Sequence, residues 1–531
     1  MNAMIDSSSV QRTDDLDADV LIVGLGPTGA TAAGLLAQQG LRVMAFDRLP
    51  GLYPMPRAVG LDHEVMRVMQ ELAIADRLSP YIEPYRPSEY RGMQQQLIKR
   101  LDAVPPPFRM GWAPNYVFNQ PALENEIRSR LREFPRVQLD FPATVTAVGQ
   151  DSERVWADVE LSGKQRRVTG RYLLACDGGS SPIRKSLGIE LEDLGFDEPW
   201  LVVDIIVSDE KARELPQTQV QYCEAGRPAT FVYCTGNHRR WEIMLLPGDS
   251  LSSDFPEHEL WPLLSRWIKP HEGKLWRAAA YRFHGLIAKE WRRNRILLAG
   301  DSVHMTPPFM AQGMVQGIRD AHNLVWKLAR VIRHQAPERL LDSYQIERRQ
   351  HVEATTRSAI ALGRVICERD AERAHARDAT LLVEQGGEVK TTFRQNMIPS
   401  LRQGLVAEGS PGAGSLFPQP AVRHAATGRS VLLDDLTGSR VRVVAASALT
   451  PQQAADFDRR LAKLAGCLVS LRPEAATGIA VRDTSGCLDS WMNELGCAFV
   501  IVRPDHYVYA TATSAADALR HLDSICAELA L

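Results

Sequence analysis

The sequence predicts an α/β protein: a Rossmann-like domain with parallel strands, an inserted antiparallel β-sheet domain, and a separate C-terminal α/β unit. Three observations predict it. Residues 19–48 carry a βαβ signature, β-branched and aromatic runs broken by turn residues crowd 199–247, and a Gly/Pro/Ser stretch at 408–415 sets off a final segment of alternating strand and helix patterns.

The opening unit is the most specific. Val20 to Val23 is a short apolar run of the kind that forms a buried parallel strand. Gly24, Gly26 and Gly29 follow in G-x-G-x-x-G spacing, with Pro27 and Thr28 between them. Gly24 permits the tight turn, Gly26 lets a pyrophosphate approach the backbone, and Gly29 with Ala30, Ala32, Ala33 and Gly34 lets the helix lie close on the sheet. The helix N-terminus then offers free amides and a positive dipole end to phosphate. A second strand, Val43 to Phe46, ends in Asp47, an acid placed to hold adenosine ribose hydroxyls; Arg48 beside it raises an NADP reading. Taken together, these features point to a dinucleotide site.

The bulk properties narrow the field. With 531 residues the chain has room for two or three cored domains. A net charge of −2 gives no electrostatic case for binding nucleic acid or an anionic membrane. The first eighteen residues are polar and read as a frayed tail rather than a signal peptide, and no stretch has the length of a transmembrane helix, so a cytoplasmic protein is expected. The eight cysteines show no C-x-x-C and no histidine at ligand spacing; they read as buried, reduced thiols with no metal role.

Along the chain, Tyr53-Pro-Met-Pro-Arg57 forms an extended loop before a helix striped by Val65, Val68, Met69 and Leu72. Residues 80–118 are expected to be irregular, and Gln120-Pro121 opens another helix. Strand patterns through 138–175 end at Cys176 and run into Asp177-Gly-Gly-Ser-Ser181-Pro-Ile-Arg184. After the β-rich insert, Arg295-Ile-Leu-Leu-Ala-Gly300-Asp301 is a strand ending in an acid, and an amphipathic helix covers 317–331. The expected domains are therefore 19–198 with 280–400, an insert at 199–279, a linker at 401–429 and a terminal unit at 430–531.

Three motifs now stand in order: Gly24–Asp47, Asp177–Arg184, and Gly300-Asp301 followed by Pro307, Pro308 and Gln312-Gly313-Met314. With them the chain resembles the single-component FAD-dependent aromatic hydroxylases, the group of p-hydroxybenzoate and phenol hydroxylases. Tyr53–Glu64, Arg239–Gly248, Tyr281–His284 and Gly317–Leu328 bring it closest to the 3-(3-hydroxyphenyl)propionate and 3-hydroxycinnamate hydroxylases. The resemblance implies a p-hydroxybenzoate hydroxylase-like fold whose first domain holds FAD, with NADH or NADPH as a transient reductant and O₂ as co-substrate. A flavin C4a-hydroperoxide would then hydroxylate a phenolic ring.

It also implies residue roles. Gly300, Asp301 and Pro307 would face the flavin, Asp301 through the ribityl hydroxyls. Gly313 and Met314 would present amides to the N1–C2=O edge. Gln120, Arg48 and Arg57 would touch FAD, and Asp177, Ser181 and Arg184 would brace the flavin and meet the nicotinamide nucleotide. His63, Tyr233 and His284 are candidates for the group that takes the phenol proton. Arg227 is the candidate for a propionate carboxylate, with Tyr233 and Pro308 against the substrate. The tail resembles the thioredoxin-like terminal domain of these enzymes without its C-x-x-C, and is read as a packing or homodimerisation unit. Three positions depart from the common pattern: Asp47 in place of Glu, Met310-Ala311 where glycines are frequent, and Val315 in place of Asn. Other phenols (a nitrocatechol, resorcinol or a polyketide) remain open as substrate. So do a non-oxygenating FAD oxidoreductase and a non-catalytic flavin-binding protein of the same fold.

Overall fold

The computed structural model describes residues 16–252, 254–472 and 478–529. Of the leading segment read as a tail, residues 1–15 lie outside the described residues, and the first strand opens at Ala18.

The strands Ala18–Val23, Val43–Phe46, Lys164–Ala175 and Ile296–Leu298 pair in parallel. They form the centre of a sheet of eight strands among the described residues. Over 20–23, 43–46, 172–175 and 296–298 their side chains are buried on both faces, as a parallel strand sandwiched by helices requires. Helix Pro27–Gln38 lies on this sheet and packs against the long helix Gly313–Ile332. The parallel order has one consequence for function. The ends of three adjacent strands, at Gly24, Cys176 and Ala299, lie side by side on one edge, so three motifs far apart in sequence converge there.

The second sheet has nine strands among the described residues, running His304–Met305, Gly273–Ala288, Leu191–Val207, His238–Met244, Ala229–Tyr233, Gln219–Tyr222, Ser88–Arg91, Leu97–Asp102 and Thr391–Phe393. It is antiparallel through its centre. Its long strands begin at Leu191 and end at Ala288, beyond the 199–279 expected for the insert. The stretch 80–118, expected to be irregular, supplies two of its strands and also Ile82–Pro84 and Asn115–Phe118 of a smaller sheet. Those strands are short and set among prolines, so their order comes from pairing rather than from a local pattern.

The C-terminal unit is a sheet of seven strands among the described residues, with Arg442–Ala445 at its centre between Cys467–Ser470 (parallel) and Phe499–Val502 (antiparallel). Helices Pro451–Lys463 and Ala515–Glu528 pack together on one face. Buried ion pairs join this unit to the first domain. Arg503 pairs across with Glu347, and Arg67 with Asp434; Lys327 and Asp505 each hold one end of the first pair from within their own domains. Stranding any one partner of such a pair away from water is costly, so these contacts hold the two domains in one relation.

Candidate active site

A cleft of about 480 Å³ lies between the carboxyl edge of the first sheet and the face of the second. Its floor is backbone. Gly26, Pro27, Thr28 and Gly29 line it from the first βα turn, Gly178 from the second motif, and Asp301, Gly313 and Met314 from the third. Gly24 has φ +98°, and a Cβ there would stand 2.2 Å from the carbonyl oxygen of Cys176. A Cβ on Gly29 would stand 2.0 Å from the Gly24 oxygen, whereas one on Gly26 or Gly313 would meet nothing within 4 Å. The first pair of glycines closes the turn on itself, and the second pair leaves open backbone for a ligand.

The floor fits a flavin dinucleotide on three further counts. Helix Gly313–Ile332 begins with no side chain capping its free amides, so its positive end faces the cleft. The Asp177 Oδ1 is buried beside Gly178 without a hydrogen-bond partner among the described residues. Asp301 stands open at the cleft surface, where its carboxylate can accept from hydroxyls; desolvation by its surroundings raises its pKa, with His304 and Arg57 pulling it back. Around the rim, Gln120 Oε1 accepts from the amides of Arg57 (2.9 Å) and Ala58 (2.6 Å), fixing the loop that brings both to the cleft.

Other expected positions lie behind this surface. Asp47 accepts from the amides of Leu25 (2.8 Å) and Leu49 (2.9 Å), and Arg48 is exposed; neither lines the cleft. Gly300, at φ +66°, packs its α-carbon against Thr28 and gives its amide to Asp320. Pro307 sits one residue outside the wall that Pro308 forms. Ser181 and Arg184 are buried and engaged inside the fold, the serine capping its own helix and the arginine donating to the carbonyls of Ser302 and Gly179. They steady the second motif and present no free surface to a visiting nucleotide.

The family models fall on this geometry. The FAD binding domain model matches residues 17–359, and the HcaD C-terminal domain model matches 414–527. The chain belongs to the FAD-dependent aromatic hydroxylases. A probable NADH-specific resorcinol 4-hydroxylase of Rhodococcus jostii (strain RHA1) is 35% identical over 94% of this chain and 93% of its own. A 3-(3-hydroxy-phenyl)propionate/3-hydroxycinnamic acid hydroxylase of Mycolicibacterium gilvum (strain PYR-GCK) is 32% identical over 94% and 90%. Among solved structures, the flavin-dependent monooxygenase PieE in complex with FAD and substrate aligns with TM-score 0.78 and 20% identity, covering 97% of this chain and 99% of that one. Aklavinone-11 hydroxylase with FAD and aklavinone aligns at 0.77 and 20%, covering 98% and 100%. The cofactor of this hydroxylase is FAD, its co-substrates a nicotinamide nucleotide and O₂, and its fold the one that p-hydroxybenzoate hydroxylase typifies.

The roof is built from side chains. Along Ala229–Tyr233 and His238–Met244 alternate residues point down, so Thr230, Val232, Arg240 and Glu242 line the cleft while Phe231, Tyr233, Trp241 and Ile243 enter the core above. Register then assembles two rows. Gln221, Thr230 and Glu242 stand opposite one another on three neighbouring strands, with Thr230 Oγ1 donating to Gln221 Oε1 at 2.6 Å. One step along, Arg240 pairs with Asp204 (2.7 Å) and donates to the carbonyls of Pro56 and Arg57, clamping the roof to the rim loop that carries them. An aromatic side wall of Phe283 and Phe309 completes the space, both rings packed on Trp200.

This arrangement moves several expected substrate residues. Tyr233 is one residue out of phase; its ring lies outside the cleft between Arg86 (4.0 Å) and Arg239 (4.1 Å). Arg227 sits in the preceding turn, paired with Asp249 at 2.5 Å and donating to the Met244 carbonyl. His63 lines a second cavity of about 180 Å³ with Met310 and Gln312, and burial lowers its pKa, Asp62 and Glu64 acting the other way. His284 does line the cleft, one third exposed and 3.2 Å from Asp197.

Sequence reasoning missed Gln221, Thr230, Phe283 and Phe309 of this lining, and with them Glu242. It is 7% exposed, and its carboxylate makes no hydrogen bond among the described residues; the nearest cation is Arg240 at 3.9 Å. Burial raises its pKa to about 7, Arg240 drawing it down and Asp204 pushing it up. The available signal was the pair Arg240-x-Glu242, two charges in alternation with Trp241 and Ile243.

Proposed function

We propose that this hydroxylase acts on a small phenol carrying two ring hydroxyls, of the resorcinol type, with Glu242 as the group that takes the phenol proton. The observation that carries the reading is the row Gln221–Thr230–Glu242: an amide, a hydroxyl and an unpartnered carboxylate facing an aromatic wall. FAD held on the floor would supply, after reduction by NADH, the two electrons with which O₂ gives one oxygen atom to the ring and the other to water. The chain's own residues do the rest. Phe283 and Phe309 hold the ring by its faces and edges and keep water out. Glu242, ionised at and above about pH 7, accepts the proton of one hydroxyl, leaving a phenolate whose ring carbons are richer in electrons. Gln221 and Thr230 orient the hydroxyl beside it.

The arginines of the cleft support a neutral substrate. Arg240 is engaged by Asp204 and two carbonyls, Arg282 by Asp197, and Arg394 by the Met310 carbonyl and Tyr85. Arg57, exposed on the rim, favours a second reading in which a propionate side chain reaches out to it, as in a 3-(3-hydroxyphenyl)propionate hydroxylase. We assign NADH as reductant from the specificity named for the Rhodococcus relative. We assign the reaction to the cytoplasm, where NADH is available; no helix among the described residues is long and apolar enough to cross a membrane.

The test is oxidation of NADH and NADPH by the FAD-loaded protein with resorcinol, 3-(3-hydroxyphenyl)propionate, 3-hydroxycinnamate and a nitrocatechol, products read by mass spectrometry. The proposal expects fastest coupled turnover with resorcinol and NADH and a product one oxygen atom heavier. Coupled turnover with the propionate alone would transfer the assignment to the second reading. Oxidation of NADH that no phenol stimulates would overturn both.

A further inference from the structure

The C-terminal domain reaches the flavin loop through a continuous line of hydrogen bonds. Tyr507, 5% exposed and on the hairpin of that domain, donates through its hydroxyl to Glu64 Oε1 at 2.9 Å. The other oxygen of Glu64 accepts from Arg319 Nε. Arg319 also binds Asp62, which caps the helix His63–Glu71, and donates through Nη1 to Gln312 Oε1 at 2.7 Å. Gln312 immediately precedes Gly313 and Met314, whose backbone lines the cleft where the flavin edge would lie.

The loop needs such support. Tyr507, Glu64, Arg319, Gln312 and Met310 all line the second cavity, of about 180 Å³, so the loop has open space behind it. Ala311 sits at φ +54°, a conformation that a residue with a Cβ adopts only when its surroundings impose it. Against the cavity, the line Tyr507–Glu64–Arg319–Gln312 is the brace, with Arg394 holding the Met310 carbonyl at 2.8 Å from the other side. Burial opposes the charge on Glu64, yet Arg319 keeps its carboxyl well below the ordinary range, so the central ion pair stays charged and rigid.

We propose that Tyr507 is a positioning residue for the flavin: the C-terminal domain, through Glu64, Arg319 and Gln312, sets where the amides of Gly313 and Met314 stand. The domain, lacking any redox cysteine pair, thereby tunes a cofactor it does not touch. It does so whichever phenol is the substrate.

The experiment compares full-length Tyr507→Phe with Tyr509→Phe, holo and apo. Tyr509 is the control because its hydroxyl donates to Glu528 at 2.9 Å inside the same domain and has no link to the loop. Hydrogen–deuterium exchange at residues 312–316 should rise about fivefold in Tyr507→Phe, the factor that one lost hydrogen bond supplies. The visible spectrum and midpoint potential of bound FAD should shift with it, and Tyr509→Phe should match wild type on all three readouts. Gln312→Ala cuts the line at its other end. It should reproduce the Tyr507→Phe effects, and the double variant should be no worse than Gln312→Ala alone. Exchange and flavin potential unchanged in Tyr507→Phe, or changed equally in Tyr509→Phe, would overturn the proposal.

Discussion

The floor and the roof of the cleft are made of different material. The floor is main chain: glycine turns, strand ends and a helix start, brought together because three parallel strands end on one edge. The roof is side chain: alternate residues of three antiparallel strands, aligned by register into a polar row and a charged row. A main-chain site tolerates few substitutions, because a Cβ at Gly24 or Gly29 collides with backbone and one at Gly26 or Gly313 would take the space left for the ligand. A side-chain site can be rewritten one residue at a time without disturbing the fold. The contrast accounts for one fold serving a common cofactor and many substrates: chemistry held by backbone stays fixed, and specificity carried by alternation is free to vary.

Substitutions on the two surfaces should separate accordingly. The largest effect is expected on the floor. Gly24→Ala forces a Cβ to 2.2 Å from a carbonyl oxygen at φ +98° and should cost roughly 3 kcal/mol or more. It should abolish retention of FAD, read by gel filtration with flavin absorbance and by thermal melting. On the roof, Glu242→Gln should make the protein more stable. The carboxyl has a pKa of about 7 in the fold against 4.5 in the unfolded chain, so between those values the folded state binds the extra proton. Stability from this group is present below about pH 4.5 and is lost as pH rises to about 7. The variant's advantage should therefore grow across that window and level off above it, at something on the order of 3 kcal/mol. A denaturant series at pH 5 and pH 8 checks the sign. Thr230→Val removes one hydroxyl from the polar row and should raise KM for the phenol about fivefold with kcat little changed. Tyr233→Phe, three residues along the same strand but on the opposite face, should change KM by less than about twofold, since its ring stacks with arginines outside the cleft. Reversal of the last two results would break the alternation on which the roof is built.

The same contrast explains what could be read from sequence. Gly26, Thr28, Gly29, Gln120, Asp301, Gly313 and Met314 all reach the cleft because a backbone site carries its own spacing. Arg57 and Pro308 do too. The roof carries no such spacing. Nothing in Thr230-Phe-Val-Tyr233 says which of its two faces looks down until the neighbouring strands fix it, and a shift of one residue exchanged Tyr233 for Val232. Arg227 lay in a turn whose partner, Asp249, stands 22 residues along the chain, and His63 pointed into a second cavity that Leu416 and Tyr507 help to close. Two strands within 80–118, Ser88–Arg91 and Leu97–Asp102, were hidden for a related reason, since besides pairing with each other they owe their place to partners more than a hundred residues away, at Gln219–Tyr222 and Thr391–Phe393. The departure noted at Met310-Ala311 proved informative: a non-glycine residue holds a left-handed conformation at the flavin loop.

The most direct test of the account is the pH profile of kcat/KM for coupled hydroxylation in wild type and Glu242→Gln. The groups facing Glu242 are Arg240 on its own strand and Asp204 on the neighbouring one, with Tyr85, Arg394, Arg57 and His284 on the other walls of the cleft. The account predicts that wild-type activity falls as pH drops through about 7, where the carboxylate takes up its proton. Glu242→Gln should be about 100-fold slower at pH 8, retain FAD, and show no such limb, while Glu242→Asp, which keeps a carboxylate, should recover the limb at a reduced rate. A Glu242→Gln enzyme that keeps both the wild-type rate and the wild-type acid limb would contradict it.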